Sequence, residues 1–244
     1  MFLKKTAVLI DAGFLRTFLP TTLGFQKLAD VVEAFAAGCI SADAGEEMYR
    51  VLYYDARPYD GSGATKPHPI DGAKPPVSTS KQNFFNSALT ILMSKPYFAV
   101  RLGEVSFDGW TLSERAAREL LQQRRSLASA DFVPLLRQKG VDLRIGLDVA
   151  MMAKDRLIDR IVIVSADSDI VPAMKIARRE GVQVVLVSLN HAIKSNLRQH
   201  ADLYRTVDLE QSYRDCEAPR SVTKPMAPIS RRRRCSLRRC RRTG

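Results

Sequence analysis

The sequence predicts an α/β protein with a central, mainly parallel sheet flanked by helices in three layers, and three observations carry that expectation. Short apolar runs rich in β-branched residues recur, as at residues 6–10 (TAVLI), 161–164 (IVIV) and 182–187 (VQVVLV), and such runs read as strands buried on both faces. Segments with apolar residues at helical spacing lie between them. One stretch, 160–188, holds a complete strand, helix, strand unit, RIVIVSADSDIVPAMKIARREGVQVVLVS. Its two strands should be parallel and joined by a right-handed crossover.

In chain order, 6–10 is the first buried strand, ended by Asp11 and the flexible Gly13. Leu28, Val31, Val32 and Phe35 then predict a helix over 25–37 with Gly38 as its stop. Residues 48–54 (MYRVLYY) read as a strand, and Asp55 follows it as Asp11 follows the first. Residues 58–77 are rich in Gly, Pro and Ser and predict a long loop, in which His68 reads as a solvated side chain. Phe84, Phe85, Ala88, Leu89, Ile91 and Leu92 predict a sheet-covering helix over 80–93, its aromatics serving the core. Residues 97–107 read as a strand interrupted by Gly103, and 111–125 as a charged surface helix whose arginines Arg115, Arg118, Arg124 and Arg125 read as a salt-bridged solvated face, with phosphate contacts as the competing reading. In KGVDLRIGLDVAMMAKD (139–155) the expectation puts Asp148 near the start of a helix running on through Met152 and Leu157. A short helix over 190–200 and an edge strand over 203–207 complete the globular part.

The chain has 244 residues and a net charge of +12, long enough for one full core with an extension. The charge is unevenly placed. Residues 217–244 hold ten Arg or Lys against Glu217, which accounts for +9 and leaves +3 for residues 1–216. We therefore divide the chain into a domain at 1–212 and a basic, disordered tail at 213–244. Within the tail, Arg231, Arg232, Arg233, Arg234, Arg238 and Arg239 form a handle for a polyanion, giving affinity for nucleic acid without sequence reading. A solvated extension with no dedicated partner is the competing reading of that run. Cys39, Cys216, Cys235 and Cys240 show no CxxC pairing and no His at zinc-ligand spacing. No apolar run nears the roughly 18 residues of a membrane span, and the N-terminus lacks the apolar region of a signal peptide. A cytoplasmic protein without membrane partners is expected.

The acids carry the chemistry. In an open parallel sheet the crevice lies at the carboxyl ends of the strands, where Asp11, Ser165, Asp167 and Asp169 fall. Asp148, flanked by apolar residues, needs a partner or a cation to justify its place. Four carboxylates from Asp11, Asp148, Asp167 and Asp169 would repel one another in one crevice. A divalent ion removes that conflict, and an all-oxygen donor set with few histidines favours Mg²⁺ or Mn²⁺. Such an ion can activate water and steady phosphodiester charge. Ser165 would cap the helix or hold a carboxylate or phosphate at its start. Read alone, SADSD is better explained as a capping turn with ordinary acids in the first helical turn, and it is the combination with Asp11 and Asp148 that favours the metal site.

IDAGFL at 10–15, KGVDLRIGLDVAMMA at 139–153 and VIVSADSDIVPAMKIARREGVQVVLVS at 162–188, with YYDARP at 53–58 and RLGE at 101–104, resemble the NYN domain of the LabA-like group, within the PIN-like nuclease superfamily. The resemblance spans about residues 5–210. It implies a PIN-like, Rossmann-like fold and Mg²⁺-dependent ribonuclease activity. By position, Asp11 resembles the first-strand metal ligand, Asp148 the acid at the helix start, and Asp167 and Asp169 the final pair. Asp142 matches an acid in the KGVD element, as a substrate or supporting contact. Many NYN domains carry Asn where Phe14 stands here, and the Arg-rich end has no counterpart in the family pattern.

The expected function is metal-dependent endonucleolytic hydrolysis of RNA. DNA stays open as a substrate because backbone hydrolysis and a basic tail do not distinguish sugars, and a homo-oligomer is equally open. The alternative is a non-catalytic RNA-binding or regulatory protein that keeps the fold. A haloacid-dehalogenase-type phosphatase is disfavoured, because Gly13 stands where that chemistry needs its second Asp.

Overall fold

A computed structural model of the chain describes residues 3–62, 66–123, 125–189 and 193–217. The arginines assigned to the nucleic-acid handle, Arg231 to Arg239, lie outside the described residues, as do Arg124 and the first residues of the helix expected at 190.

The expected architecture is the one found. Seven strands form one sheet in the order β4-β3-β2-β1-β5-β6-β7, with β1 Lys4–Asp11, β2 Glu46–Ala56, β3 Phe98–Leu112, β4 Phe132–Lys139, β5 Arg160–Val164, β6 Gln183–Ser188 and β7 Leu203–Thr206. All neighbours are parallel except β3 and β4, which pair antiparallel. Alternate residues of the central strands feed opposite faces. Val8 and Ile10 of β1, Val162 and Val164 of β5 pack under α2 (Phe25–Gly38), α3 (Thr79–Ser94) and α8 (Leu209–Glu217). Ala7, Leu9, Ile161 and Ile163 pack under α5 (Val141–Lys154), α6 (Val171–Arg179) and α7 (Ser195–His200). Two short helices, α1 (Ala12–Arg16) and α4 (Glu114–Gln123), complete the set. No described helix is long and apolar enough to cross a membrane.

Several boundaries differ from the sequence reading, each for a local reason. The strand expected to break at Gly103 runs on to Leu112, because a Cβ at Gly103 would sit 2.5 Å from Lys139 O and the glycine lets β4 and α5 approach. The β4 strand, absent from the sequence reading, is the antiparallel return and an edge of the sheet. The last helix, α8, crosses the expected domain boundary at 212, with Leu209, Tyr213 and Cys216 packed on the α2 side of the core. His68 is buried instead of solvated: its ring stands edge-on to Trp110 at 4.5 Å and its Nε2 lies 3.2 Å from Ser129 O, pinning the long loop to the β3–β4 ribbon. The α4 arginines Arg115 and Arg118 pair with Glu119 and Glu114, as a solvated face should.

At the amino end of the sheet, Glu46 ties three strands together. Its fully buried side chain accepts hydrogen bonds from Arg160 at the start of β5, from Arg205 of β7 at 2.7 and 3.0 Å, and from the Ser41 N–H at 2.6 Å. At the opposite, carboxyl end lie Asp11, Ser165, Asp167 and Asp169.

Candidate metal centre

Parallel pairing of β1 with β5 puts Ile10 beside Val164, so Asp11 and Ser165 emerge next to each other. The Ser165 hydroxyl donates to Asp11 Oδ2 at 3.1 Å, and its oxygen accepts the Asp167 N–H at 3.1 Å. Asp11 Oδ1 in turn accepts the Phe14 N–H at 3.2 Å and caps α1. Asp167 caps the 3-10 turn Ser168–Ile170 by accepting the Asp169 N–H at 3.0 Å. The SADSD segment is therefore a capping turn, and that same capping fixes where its acids point.

The third contributor is Asp142. Gly140 takes a φ of 78°, a left-handed conformation suited to glycine, and turns the chain from β4 directly into α5 at Val141. Asp142 then lies in the first helical turn, and one carboxylate oxygen each from Asp142, Asp167 and Asp169 falls within 4.8 Å of the others, all three residues exposed. The Asp142 pKa is raised, first by partial burial and then by the negative charges of Asp167, Asp11 and Asp169. Asp11 therefore shares the field of the cluster. Hard oxygen donors from three carboxylates fit Mg²⁺ or Mn²⁺.

Asp148 is placed elsewhere. The sequence reading put the helix start near it, whereas α5 begins at Val141, which carries Asp148 about 9 Å further along the axis than Asp142. Its Oδ2 accepts from the Tyr54 hydroxyl at 2.9 Å and from Arg101 Nε at 3.0 Å. The cation that justifies Asp148 among apolar neighbours is thus Arg101. Asp142, expected as a supporting contact, takes the position at the helix start.

Sequence reasoning missed one further pair. Asp55, 2% exposed near the end of β2, receives both guanidinium nitrogens of Arg16, with Nη2 to Oδ1 at 2.8 Å. Burial and neighbouring Asp11 push the Asp55 carboxyl up against the lowering effect of Arg16. The signal available was the repeated placement of Asp11 and Asp55 after their strands, with an arginine one turn beyond Asp11. Arg16 also borders a cleft of about 640 Å³ that includes Tyr53, Lys81 and Phe84.

The acid cluster coincides with a family match. Residues 98–210 match the NYN domain family. The match runs from β3 into α8 and takes in Asp142, Asp167 and Asp169, with Asp11 before it. The NYN domain falls within the PIN-like nuclease superfamily, whose members generally hydrolyse nucleic acids with divalent metals. No curated protein matches the chain. Among solved structures, a Vibrio parahaemolyticus protein of unknown function is similar at 15% identity, over 84% of this chain and 94% of its own, with a TM-score of 0.41. A structure from work on the mechanism and regulation of Sir2 enzymes is similar at 12% identity, over 88% and 90%, with a TM-score of 0.33.

Proposed function

We propose that this NYN-matching chain is a divalent-metal-dependent endoribonuclease, acting at a centre formed by Asp11, Asp142, Asp167 and Asp169. The observation that carries the reading is the convergence of the Asp142, Asp167 and Asp169 carboxylates within 4.8 Å at the carboxyl end of a parallel sheet, inside the matched segment. Three like charges held this close store repulsion that a cation relieves. Asp142, Asp167 and Asp169 would hold Mg²⁺ or Mn²⁺, and Asp11, fixed by Ser165 and the Phe14 N–H, completes the negative field. When bound, the ion supplies charge neutralisation at the phosphodiester and water of lowered pKa. Ser165 positions two of the acids through one hydroxyl.

The arginines from Arg231 to Arg239 add affinity for the RNA backbone without reading its sequence. The IDAGFL and SADSD segments support placing the chain in the LabA-like group, and its few, dispersed cysteines support a reducing, cytoplasmic setting.

Cleavage of end-labelled single-stranded RNA with Mn²⁺, Mg²⁺ or EDTA tests the reading. The native protein and Asp148→Asn should cut in either metal and stop in EDTA, while Asp167→Asn and Asp142→Asn should bind without cutting. Metal-independent binding with no cutting by the native protein would instead establish the non-catalytic alternative.

A further inference from the structure

The outward face of α5 breaks the rule that a surface helix is polar towards solvent. Ile145, Val149 and Met152 face the sheet, as expected. On the opposite side Leu143, Leu147 and Met151, spaced four apart, are 67%, 53% and 61% exposed. A helix with apolar stripes on two opposite sides has one more than its own sheet covers. Those three side chains together present roughly 350 Å², already within the range of the largest apolar patches on monomers, which are often functional.

Two further features of α5 point to what covers it. Gly146 sits mid-helix, where glycine costs about 1 kcal/mol relative to alanine, yet a Cβ there would meet nothing within 4 Å. Packing within the chain does not require it. On the other flank, Arg144 has no carboxylate partner among the described residues, its Nη1 donating only to Gly140 O, and Asp148 uses Oδ2 for both of its bonds, leaving Oδ1 open.

We propose that α5 packs antiparallel against α5 of a second copy, about a two-fold axis at Leu147. Under that operation Leu147 meets its own copy and Leu143 meets the second copy's Met151, so the stripe is self-complementary, as an isologous interface must be. The lateral sides map onto themselves. Arg144 comes beside the second copy's Asp148 with an axial offset of about 3 Å, forming two equivalent ion pairs, while Gly146 lies beside the second copy's Ala150, which lets the backbones close to the 8–10 Å of packed helices. The stripe alone provides about half of a standard interface. A cleft of about 400 Å³ between Met151, Tyr49 and Leu157 continues it and receives the second copy's Leu143. Asp142, turned to the other side of α5, stays open.

Sedimentation velocity on the full chain over a concentration series decides this, in high salt so that nucleic acid bound to the basic tail does not bridge molecules. The native protein should reach the mass of two chains. Leu147→Glu and Leu147→Lys each place like charges against themselves and should weaken association by about a hundredfold or more, as at a central hot spot, with the circular dichroism spectrum unchanged because Leu147 is exposed within the chain. An equimolar mixture of the two variants should reassociate, since Glu then faces Lys. A native protein that stays monomeric, a Leu147→Glu variant that still dimerises, or a mixture that stays monomeric overturns the proposal. The first of these results is the one expected if another protein, or the chain's own tail, covers the stripe.

Discussion

The Ser165 hydroxyl lies 3.1 Å from Asp11 Oδ2 and takes the Asp167 N–H on the same oxygen atom. One side chain thus links the end of β1 to the turn after β5, and it is 6% exposed. The hydrogen bond it gives to Asp11 fixes the direction of that carboxylate, and the one it accepts holds the turn from which Asp167 and Asp169 project.

Ser165→Ala removes both bonds at once. Each part-buried hydrogen bond lost costs about 1 kcal/mol, so the variant should unfold at a lower temperature, as calorimetry would show. Loss of groups that orient ligands typically costs 10–100-fold in metal affinity, and Mn²⁺ titration of the folded variant should show a weakening of about tenfold. Unchanged metal binding would remove Ser165 from the positioning role.

Asp142 and Asp148 should respond in opposite ways. Asp142→Asn relieves repulsion from Asp11, Asp167 and Asp169, so the metal-free protein should be at least as stable as the native one, while Mn²⁺ no longer raises its unfolding temperature. Asp148→Ala leaves the buried Tyr54 hydroxyl without its acceptor, which should cost about 1–3 kcal/mol with the Mn²⁺ response retained. The raised pKa of Asp142 means that the native state holds this proton to a higher pH than the unfolded chain does. Across that window the metal-free protein loses stability as pH rises, and the loss should vanish in Asp142→Asn.

Glu46 gives the reverse slope. Burial raises its pKa, but the bonds from Arg205, Ser41 and Arg160 outweigh burial and hold it at about 2. A carboxylate depressed in the folded state contributes stability that is present above its unfolded pKa and lost as pH falls through the folded one. The contribution is on the order of 3 kcal/mol, so Glu46→Gln should be destabilised by that amount at neutral pH. Denaturant unfolding from pH 7 down towards the folded pKa should show a flatter acid limb in the variant.

How much of this was legible in the sequence depended on whether local pattern and burial agreed. β1, β5, β6 and α6 were, because β-branched runs buried on both faces and a Gly181 stop leave one interpretation. The start of α5 was not. Leu143 and Leu147 fill its outward face, so its apolar residues do not mark an inward stripe. The informative signal was Gly140, whose left-handed turn starts the helix two residues before Asp142. With the start expected further along, Asp148 was read as the acid at the helix start, the position that Asp142 occupies. β4 was hidden for a related reason: an edge strand carrying Pro134 and exposed Val133 and Leu136 has no clean alternation. His68 was misread because its burial depends on Trp110 and Phe132 from distant segments.

The basic end of the chain should contribute affinity and not chemistry. Residues 218–244 carry ten cations, and each phosphate neutralised on a single strand adds about 0.7 to the slope of log affinity against log salt. Removing them should flatten that slope by up to about 7 and weaken RNA binding most at low salt. The four acids at the sheet lie outside the deleted segment, so cleavage at saturating RNA should keep its rate and its metal requirement. Parallel binding and single-turnover measurements on the shortened and full chains separate the two effects. A cleavage rate that falls with the tail even at saturation would show that the arginines act on the bound RNA as well as capturing it.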